Sequence, residues 1–280
     1  MEPRIQYAKT SDGVNIAYSV IGDGNWLVYP PNVWGDLSWY VHNADTRKSI
    51  EALASSGWRI VRYDGRGKGS SDRDVNDFSL DARVRDLEAV VDNVAADQFV
   101  LCGYGHGGPP AIIHAIRHPQ RVSHLVLVNT YAIGSGYYEQ IPAMRALMGL
   151  REMAESEWEF FTMTLASANA SFEDVATAKK TATMFRASMS AGSFLSFVKA
   201  SNGIDVTDAL SEVRVHTLVV EDSSGLSTGD LLRPIAASIP GARFVSNHDY
   251  TRELHSFVTG QPMPEQNEVP PRDRCGTCVI

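Results

Sequence analysis

Apolar and polar positions along the chain follow two different rhythms between residues 5 and 124. Short, β-rich apolar runs alternate with longer stretches in which apolar residues recur at helical spacing. The runs Phe99–Gly103 and Leu125–Asn129 are continuously apolar, as expected of central parallel strands that are covered on both faces. This alternation predicts an α/β protein with a mostly parallel sheet between layers of helices. The predicted strands are Ile5–Thr10, Val14–Ile21, Trp26–Pro30, Arg59–Asp64, Phe99–Gly103, Leu125–Asn129, Thr217–Glu221 and Ala242–Ser246. The predicted helices are Asp45–Ser55, Leu80–Ala96, Gly107–His118 and Leu231–Ile239.

The pattern changes between about residues 132 and 206. Strand signals disappear there, and Met, Ala, Phe and Ser dominate, which predicts a helical insertion that forms a cap on a domain spanning residues 1–260. Residues 261–280 are rich in Pro, Glu, Asn and Arg and predict a flexible tail. The tail contains Cys275 and Cys278, but four-coordinate zinc needs two further ligands and none lies nearby in the sequence. We therefore predict free thiols in the tail.

The composition narrows the range of partners. Of the 280 residues, 33 are acidic and 25 are basic, and the net charge of −8 argues against binding to nucleic acid or to an anionic membrane. No apolar run approaches the roughly 18–20 residues needed to span a bilayer. The first residues contain no apolar signal-peptide core, and three cysteines fit a reducing compartment, so we expect a cytoplasmic location. The oligomeric state cannot be predicted from these features.

The most informative segment runs from Val100 to Pro110, VLCGYGHGGPP. An apolar strand enters a tight glycine-rich corner, and a helix begins at once with prolines in its first turn. Small residues at Gly103 and Gly107 allow the strand and the helix to approach closely, which lifts the central residue, Gly105, above the sheet. This segment resembles the nucleophile elbow of the α/β-hydrolase superfamily, G-x-S-x-G.

Other segments over residues 5–260 resemble the same superfamily. They include the glycine-rich loop Arg62–Ser71, the His118–Val122 approach to a strand, the Ile239–Val245 approach to the last strand, and Tyr29–Trp34 at the place of the oxyanion loop. The resemblance implies the α/β-hydrolase fold, with a mostly parallel eight-stranded sheet that is covered by helices and carries a helical cap.

The catalytic triad of that superfamily is incomplete in this sequence. Gly105 stands where a nucleophilic Ser, Cys or Asp is expected, and it cannot attack a carbonyl. The acid is expected at residues 223–225, where the sequence is Ser-Ser-Gly. The histidine is expected near Arg252, so His248 and His255 are the candidate proton carriers. Glycine at the elbow avoids a strain of about 1–3 kcal/mol and should open volume above the sheet.

The resemblance also implies a binding site built from the backbone. The amides of His106 and Val33 are expected to face a developing oxyanion. We predict that Asn32, Trp34, Tyr104 and Gly105 line the substrate pocket with them, and that no cofactor or metal takes part. Asp64 and Arg66 are interpreted as residues that hold the glycine-rich turn. The histidines at positions 114, 118, 124 and 216 fall on predicted scaffold elements and are interpreted as structural.

Three functional hypotheses follow. The first is a non-hydrolytic isomerase, epimerase or lyase that moves a proton next to a carbonyl of a small molecule or peptide, with natural-product biosynthesis as the hypothesised setting. Serine-less members of the superfamily include peptide aspartate epimerases of the bottromycin type. The second is a non-catalytic, ligand-binding pseudo-hydrolase. The third is a serine hydrolase that has been altered at Gly105.

Overall fold

A single sheet of eight strands organises the chain. The computed structural model describes residues 4–33, 35–169, 174–222 and 228–264. The strand order is β1-β2-β4-β3-β5-β6-β7-β8, and the pairs β1–β2 and β2–β4 are antiparallel while the other pairs are parallel. The predicted mostly parallel, eight-stranded sheet is therefore confirmed. The strands are β1 Gln6–Lys9, β2 Asn15–Ile21, β3 Asn25–Tyr29, β4 Trp58–Tyr63, β5 Phe99–Tyr104, β6 Val122–Val128, β7 His216–Asp222 and β8 Arg243–His248.

Helices cover both faces of the sheet. On one face the apolar sides of α3 and α4 contribute Leu87 and Ile112 to the larger hydrophobic core, and on the other Leu53 of α2 and Leu254 of α12 pack against the sheet. The four predicted helices are present, whereas α1 and α12 were not predicted. The helices are α1 Trp39–His42, α2 Ala44–Ser55, α3 Leu80–Asn93, α4 Gly108–Arg117, α5 Gly134–Gln140, α6 Pro142–Gly149, α7 Met153–Ser156, α8 Trp158–Asn169, α9 Val175–Ser188, α10 Ala191–Asn202, α11 Gly229–Ser238 and α12 Tyr250–Thr259.

Local sequence signals account for several helix ends. Ser79 caps α3 by accepting a hydrogen bond from the Ala82 amide at 3.2 Å. Asp249 caps α12 in the same way through Thr251, at 3.0 Å. Gly260 ends α12 with a φ of +70°, in the left-handed region that glycine adopts without strain. The short α12 is thus marked at both ends.

Helices α5 to α10 lie between β6 and β7, inside the segment predicted as a helical insertion. Aromatic side chains hold several of them together, since Trp158 of α8 stacks on Phe161 with ring centroids 5.7 Å apart and also contacts Phe185 and Phe194. Our division of the chain into a sheet domain and a cap remains an interpretation. Trp34, residues 223–225 and Cys275 and Cys278 lie outside the described residues.

Candidate active site

The corner between β5 and α4 has the geometry that its glycines predict. Gly105 has a φ of +52°, in the left-handed region where a side chain is strained, and a short 3₁₀ turn over Gly105–Gly107 leads into α4. A β-carbon on Gly103 would lie 2.7 Å from the Gly108 Cα, and one on Gly107 would lie 2.6 Å from the Pro30 carbonyl oxygen. The strand, the helix and the loop after β3 therefore meet closely enough to exclude larger residues at these two positions.

The carboxamide of Asn32 lies directly above Gly105. A β-carbon on Gly105 would be 2.9 Å from Asn32 Nδ2 and 3.3 Å from its Cγ. Asn32 Oδ1 accepts a hydrogen bond from the Val33 amide at 2.7 Å. The structure changes two expectations: glycine does not leave open volume above the sheet, and the Val33 amide, whose role toward an oxyanion stays a prediction, donates to Asn32. In both cases the cause is the side chain of Asn32, which fills the space that the missing side chain of residue 105 leaves.

His106 is held between two polar partners. Its Nδ1 lies 2.9 Å from Asn32 Oδ1, and its Nε2 lies 2.8 Å from the hydroxyl oxygen of Tyr138. A carboxamide oxygen can only accept, so Nδ1 carries the proton and donates to Asn32, while Nε2 accepts from Tyr138. Burial keeps the pKa of His106 well below its ordinary value, and the nearby cations of Arg83 and Lys68 act in the same direction. His106 is therefore a neutral imidazole whose tautomer is set by its neighbours.

Aromatic rings enclose this imidazole. The side chains of Tyr131, Tyr137, Tyr138 and Phe197 lie around it, with ring centroids 5.0–5.9 Å from that of His106. Burial raises the pKa of Tyr138 well above its ordinary value, so its hydroxyl keeps its proton and can donate to Nε2. His106 is 1% exposed, so its imidazole is shielded from solvent.

Two side chains hold the carbonyl groups of the elbow. Thr130 Oγ1 donates to the Gly105 oxygen at 2.6 Å, and Arg83 Nη2 donates to the His106 oxygen. Arg83 also donates to Ser201 Oγ at 3.2 Å, and its guanidinium lies 4.8 Å from the ring centroid of Phe197. Our sequence reasoning missed Arg83. The sequence does contain a feature that could have indicated this role: Arg83 places a cation on the apolar side of α3, next to Leu80, Val84 and Leu87.

Lys68 fixes the loop that carries Asn32. Its buried ammonium donates to the carbonyl oxygens of Asn32 and Val33 at 2.7 and 2.8 Å. Burial lowers the pKa of Lys68 to about 8, although the carboxylates of Asp36 and Asp64 oppose that shift. The sequence reasoning did not single out this residue, and only its place within a glycine-rich loop hinted at a special role.

The interpretation of Asp64 and Arg66 as scaffold residues agrees with their contacts. Asp64 accepts hydrogen bonds from the amides of Leu37 and Ser70, each at 2.8 Å. Arg66 forms a buried ion pair with Asp86 at 2.8 Å. Both side chains therefore tie the glycine-rich turn to neighbouring segments.

Two cavities adjoin Asn32. The first is largely apolar and lies beside Val33, with Met189 just after α9 and Phe197 of α10 on one side, and its cationic lining residues are Arg66, Lys68 and Arg83. The second contains Tyr104, Asp36 and Arg62 and is also bordered by Asn32. Of the predicted pocket residues, Asn32, Val33 and Tyr104 thus border a cavity. His106 lies behind Asn32, and Trp34 lies outside the described residues.

The two candidate proton carriers are placed very differently. His255 lies on α12, where Trp58 Nε1 donates to its Nδ1 at 3.1 Å. Trp58 begins β4, so this contact is at the amino end of a strand, whereas the elbow is at the carboxyl end of the parallel β5. His255 is therefore not brought to the elbow. The Cα of His248 pairs in register with that of Asp222 at the carboxyl ends of β8 and β7, and the side chain of His248 lies outside the described residues.

The end of β7 is tied to the end of β6. Asp222 donates its amide to Asn129 Oδ1 at 3.0 Å, and Asn129 Nδ2 donates to the Asp222 carbonyl oxygen at 3.2 Å. The carboxylate of Asp222 accepts from the Tyr250 amide at 3.0 Å, at the start of α12. Asp222, one residue before the position expected for the catalytic acid, thus joins strand ends.

The sheet order and the strand–turn–helix corner define the α/β-hydrolase class of protein. A family model described as the α/β hydrolase fold matches residues 35–170. The chain has the α/β-hydrolase fold, and just under half of it matches the model of that family. Among solved structures, an esterase from Exiguobacterium antarcticum matches with a TM-score of 0.76 at 18% identity, covering 91% of this chain and 99% of that one. An enol-lactonase from Burkholderia xenovorans matches with a TM-score of 0.72 at 22% identity, covering 91% and 100%.

Relatives in sequence are named as hydrolases. The protein named "Putative carbamate hydrolase RutD" from Azorhizobium caulinodans is 25% identical over 255 residues, which cover 90% of this chain and 93% of that protein. A 2-hydroxy-6-oxononadienedioate/2-hydroxy-6-oxononatrienedioate hydrolase from Paraburkholderia phymatum is 28% identical over 152 residues. That match covers 53% of this chain and 48% of the relative, about half of each. Among the described residues, no helix has the length and apolar character required to cross a membrane.

Proposed function

We propose that this protein is a non-hydrolytic enzyme that moves a proton next to a carbonyl group, as an isomerase, epimerase or lyase acting on a small molecule or peptide. The observation that carries the proposal is the carboxamide of Asn32 above Gly105, with its Nδ2 2.9 Å from where a β-carbon on residue 105 would stand. A carboxamide is not a nucleophile, and glycine supplies none, so the site has no group at the elbow that could form an acyl intermediate.

The hydrogen bonds of Asn32 support carbonyl recognition. Asn32 Oδ1 accepts from the Val33 amide at 2.7 Å and from His106 Nδ1 at 2.9 Å. In this proposal a substrate carbonyl displaces that oxygen and accepts the same two hydrogen bonds. The two donors withdraw electrons from the carbonyl group and so make the neighbouring C–H bond more acidic. Each donor whose hydrogen bond becomes stronger in the enolate stabilises the transition state by about 3–4 kcal/mol. A neutral imidazole suits this role because it donates without giving up a proton.

Proton removal requires a base, and His248 remains our candidate. Its position at the carboxyl end of β8, in register with Asp222, is on the same edge of the sheet as the elbow. The proton leaves carbon for the base, and its return to the opposite face of the same carbon gives epimerisation. Its return to another carbon gives isomerisation. A carboxylate of the substrate itself is the alternative base.

A second candidate function is non-catalytic ligand binding. The observation that favours it is that Asn32 satisfies the Val33 amide and His106 within the protein itself, so these donors need no reacting substrate. In this case a ligand would bind beside Phe197 and Met189 without turnover, and the cavity there, which has room for about one water molecule, would widen to admit it.

Exchange of substrate protons with solvent distinguishes the two candidates. The protein is incubated in D₂O with a mixture of keto acids and N-acetylated dipeptides, and products are analysed by mass spectrometry. We expect a gain of one deuterium without cleavage, and at least a ten-fold loss of exchange in His106→Phe. A compound that is retained by the protein without exchange would support the binding function, and hydrolysis, with water added across the broken bond, would contradict both.

The hypothesis of a serine hydrolase altered at Gly105 is tested by restoring serine. We expect no labelling of Gly105→Ser by a fluorophosphonate probe and no gain in hydrolysis of p-nitrophenyl acetate, because Asn32 occupies the place of the new hydroxyl. Gly105→Ser combined with Asn32→Ala controls for this crowding. Strong labelling of both variants would show that the rest of a hydrolytic site is intact.

A further inference from the structure

Two histidines and a glutamate meet where α3 packs against α4. His114 lies in the last turn of α4 and His118 is the residue that follows the helix, at the end opposite the elbow. Glu88 faces them from α3, and its Oε1 lies 3.0 Å from His118 Nε2. The potential ligand atoms of the three side chains all lie within 4.8 Å of one another. This cluster shares no residue with the candidate active site.

The buried member of the cluster has no hydrogen-bond partner. His114 is 0% exposed, and neither Nδ1 nor Nε2 makes a hydrogen bond. Its ring packs against Phe99 and His118, with centroid distances of 5.8 and 4.8 Å, and these contacts satisfy neither nitrogen. Buried polar groups in folded proteins are nearly always paired, so an imidazole with two unpaired nitrogens calls for an explanation.

We infer that Glu88, His114 and His118 bind one divalent transition-metal ion of the zinc class, with water as the fourth ligand. Two imidazoles and one carboxylate form a ligand set that zinc accepts. Tetrahedral zinc with bonds of about 2.1 Å needs ligand atoms about 3.4 Å apart, so small side-chain rotations suffice. The side chains of His118 and Glu88 are 34% and 30% exposed, which gives the ion a route from solvent.

The surrounding charges are compatible with a cation. The charges of Arg117 and Arg121 act on His114, but each guanidinium has a carboxylate partner. Arg117 pairs with Asp81 at 2.6 Å, and Arg121 pairs with Asp92 at 2.5 Å. A bound ion would join α3 to α4, the helix that follows the elbow, and would thereby stabilise the corner on which the active site depends.

This inference departs from the prediction that no metal takes part. In the sequence, His114 and His118 fall on an amphipathic helix, where buried structural histidines are common. Glu88 is 26 residues before His114, and only the packing of α3 on α4 brings its carboxylate to them. Spacing along the chain therefore indicates two of the three protein ligands, and only the fold supplies the third.

Cobalt binding to the full-length protein tests the site. Protein without a polyhistidine tag is freed of metal with a chelator and titrated with Co²⁺, followed by visible absorption and by calorimetry. Because Cys275 and Cys278 could also bind metal, the titration is repeated in Cys275→Ser/Cys278→Ser. We expect one Co²⁺ per chain in both proteins, displacement by Zn²⁺, and a higher melting temperature with Zn²⁺.

Substitution of the proposed metal ligands shows whether Co²⁺ binds at this cluster or elsewhere on the protein. We expect Glu88→Gln and His118→Asn, which alter partly exposed side chains, to weaken Co²⁺ binding at least ten-fold while the apoproteins remain folded. The control is His216→Gln, since His216 stacks on His124 with centroids 5.7 Å apart and belongs to no described group of metal ligands. Absence of binding to the wild-type protein, or equal binding by all four proteins, would overturn the inference.

Discussion

Gly105 and Asn32 share one small volume at the carboxyl end of β5. The φ of +52° at Gly105 and the carboxamide 2.9 Å from its β-carbon position impose separate penalties on any side chain there. The first is backbone strain and the second is crowding. Each can be measured separately because the chain contains glycines that share the strain but have free space around them.

Gly105→Ala is therefore expected to lower the free energy of unfolding by more than strain alone, which costs about 1–3 kcal/mol. The matched control is Gly241→Ala, because Gly241 has a φ of +72° and no atom within 4 Å of its β-carbon position. Urea unfolding measures both variants. Measured in an Asn32→Ala background, the cost of Gly105→Ala should fall to that of the control, and strict additivity of the two changes would argue against shared volume.

His106 should make stability depend on pH. Its folded-state pKa lies well below the unfolded value of about 6.5, so the unfolded chain binds more protons in acid. The stabilisation from the neutral imidazole is complete above pH 6.5 and is lost as the pH falls. Between pH 7.5 and 5.5 this residue alone should lower the free energy of unfolding by about 1.4 kcal/mol.

Urea unfolding of His106→Gln at these two pH values provides the test. The wild-type protein should lose about 1.4 kcal/mol more than the variant over this interval, because other buried histidines contribute equally to both. Equal losses would mean that His106 is protonated in the folded protein or that its contribution is offset elsewhere, and would remove the basis for treating it as a neutral donor.

At the scale of elements, α3 links three parts of the site. Through Arg83 it reaches the elbow turn at His106 and Ser201 on α10, and through Asp86 it holds Arg66 of the glycine-rich loop. A buried cation that donates to a carbonyl oxygen and to a hydroxyl cannot be removed without leaving these acceptors unpaired.

Arg83→Met is expected to lower the free energy of unfolding by about 2–4 kcal/mol, since it leaves buried polar groups without a partner. Arg85→Met is the control on the same helix. Arg85 is 30% exposed and pairs with Asp12 and Asp77, so its loss should cost less than about 1 kcal/mol. Equal effects in urea unfolding would mean that Arg83 does not hold the elbow.

At the scale of the whole molecule, the two ends of the sheet have different roles. The carboxyl ends of β5 to β8 carry the elbow, Asp222 and His248. The amino end of β4 carries Trp58, which binds His255. With six residues in β4 and a rise of about 3.3 Å per residue, these two edges are about 16 Å apart.

His248→Gln is accordingly expected to reduce deuterium exchange into substrate at least 100-fold, whereas His255→Gln should leave it within about two-fold. His255→Gln should instead lower the free energy of unfolding by about 1 kcal/mol through the lost Trp58 hydrogen bond. The two variants are compared by mass spectrometry and urea unfolding. Loss of exchange in His255→Gln with full stability would contradict the placement of the site.

Much of the fold could be predicted from the sequence because it depends on local patterns. Continuous apolar runs marked the central strands, and glycines marked the corner after β5. The short α12 escaped prediction although Asp249 and Gly260 mark its ends. Of the candidate site residues, Asn32, Val33 and Tyr104 border the cavities, whereas His255 lies at the other edge of the sheet.

Consecutive residues were enough to predict the order of the eight strands along the chain, the sharp corner at residues 103–107, and the lack of a nucleophile at Gly105, because each is a local property. Tertiary structure alone decided that Asn32 fills the space above Gly105, that Tyr138 sets the tautomer of His106, and that Glu88 joins His114 and His118. These contacts connect residues 26 to 74 positions apart. Only the packing of distant segments fixes which side chains share a volume, and no local pattern contains that information.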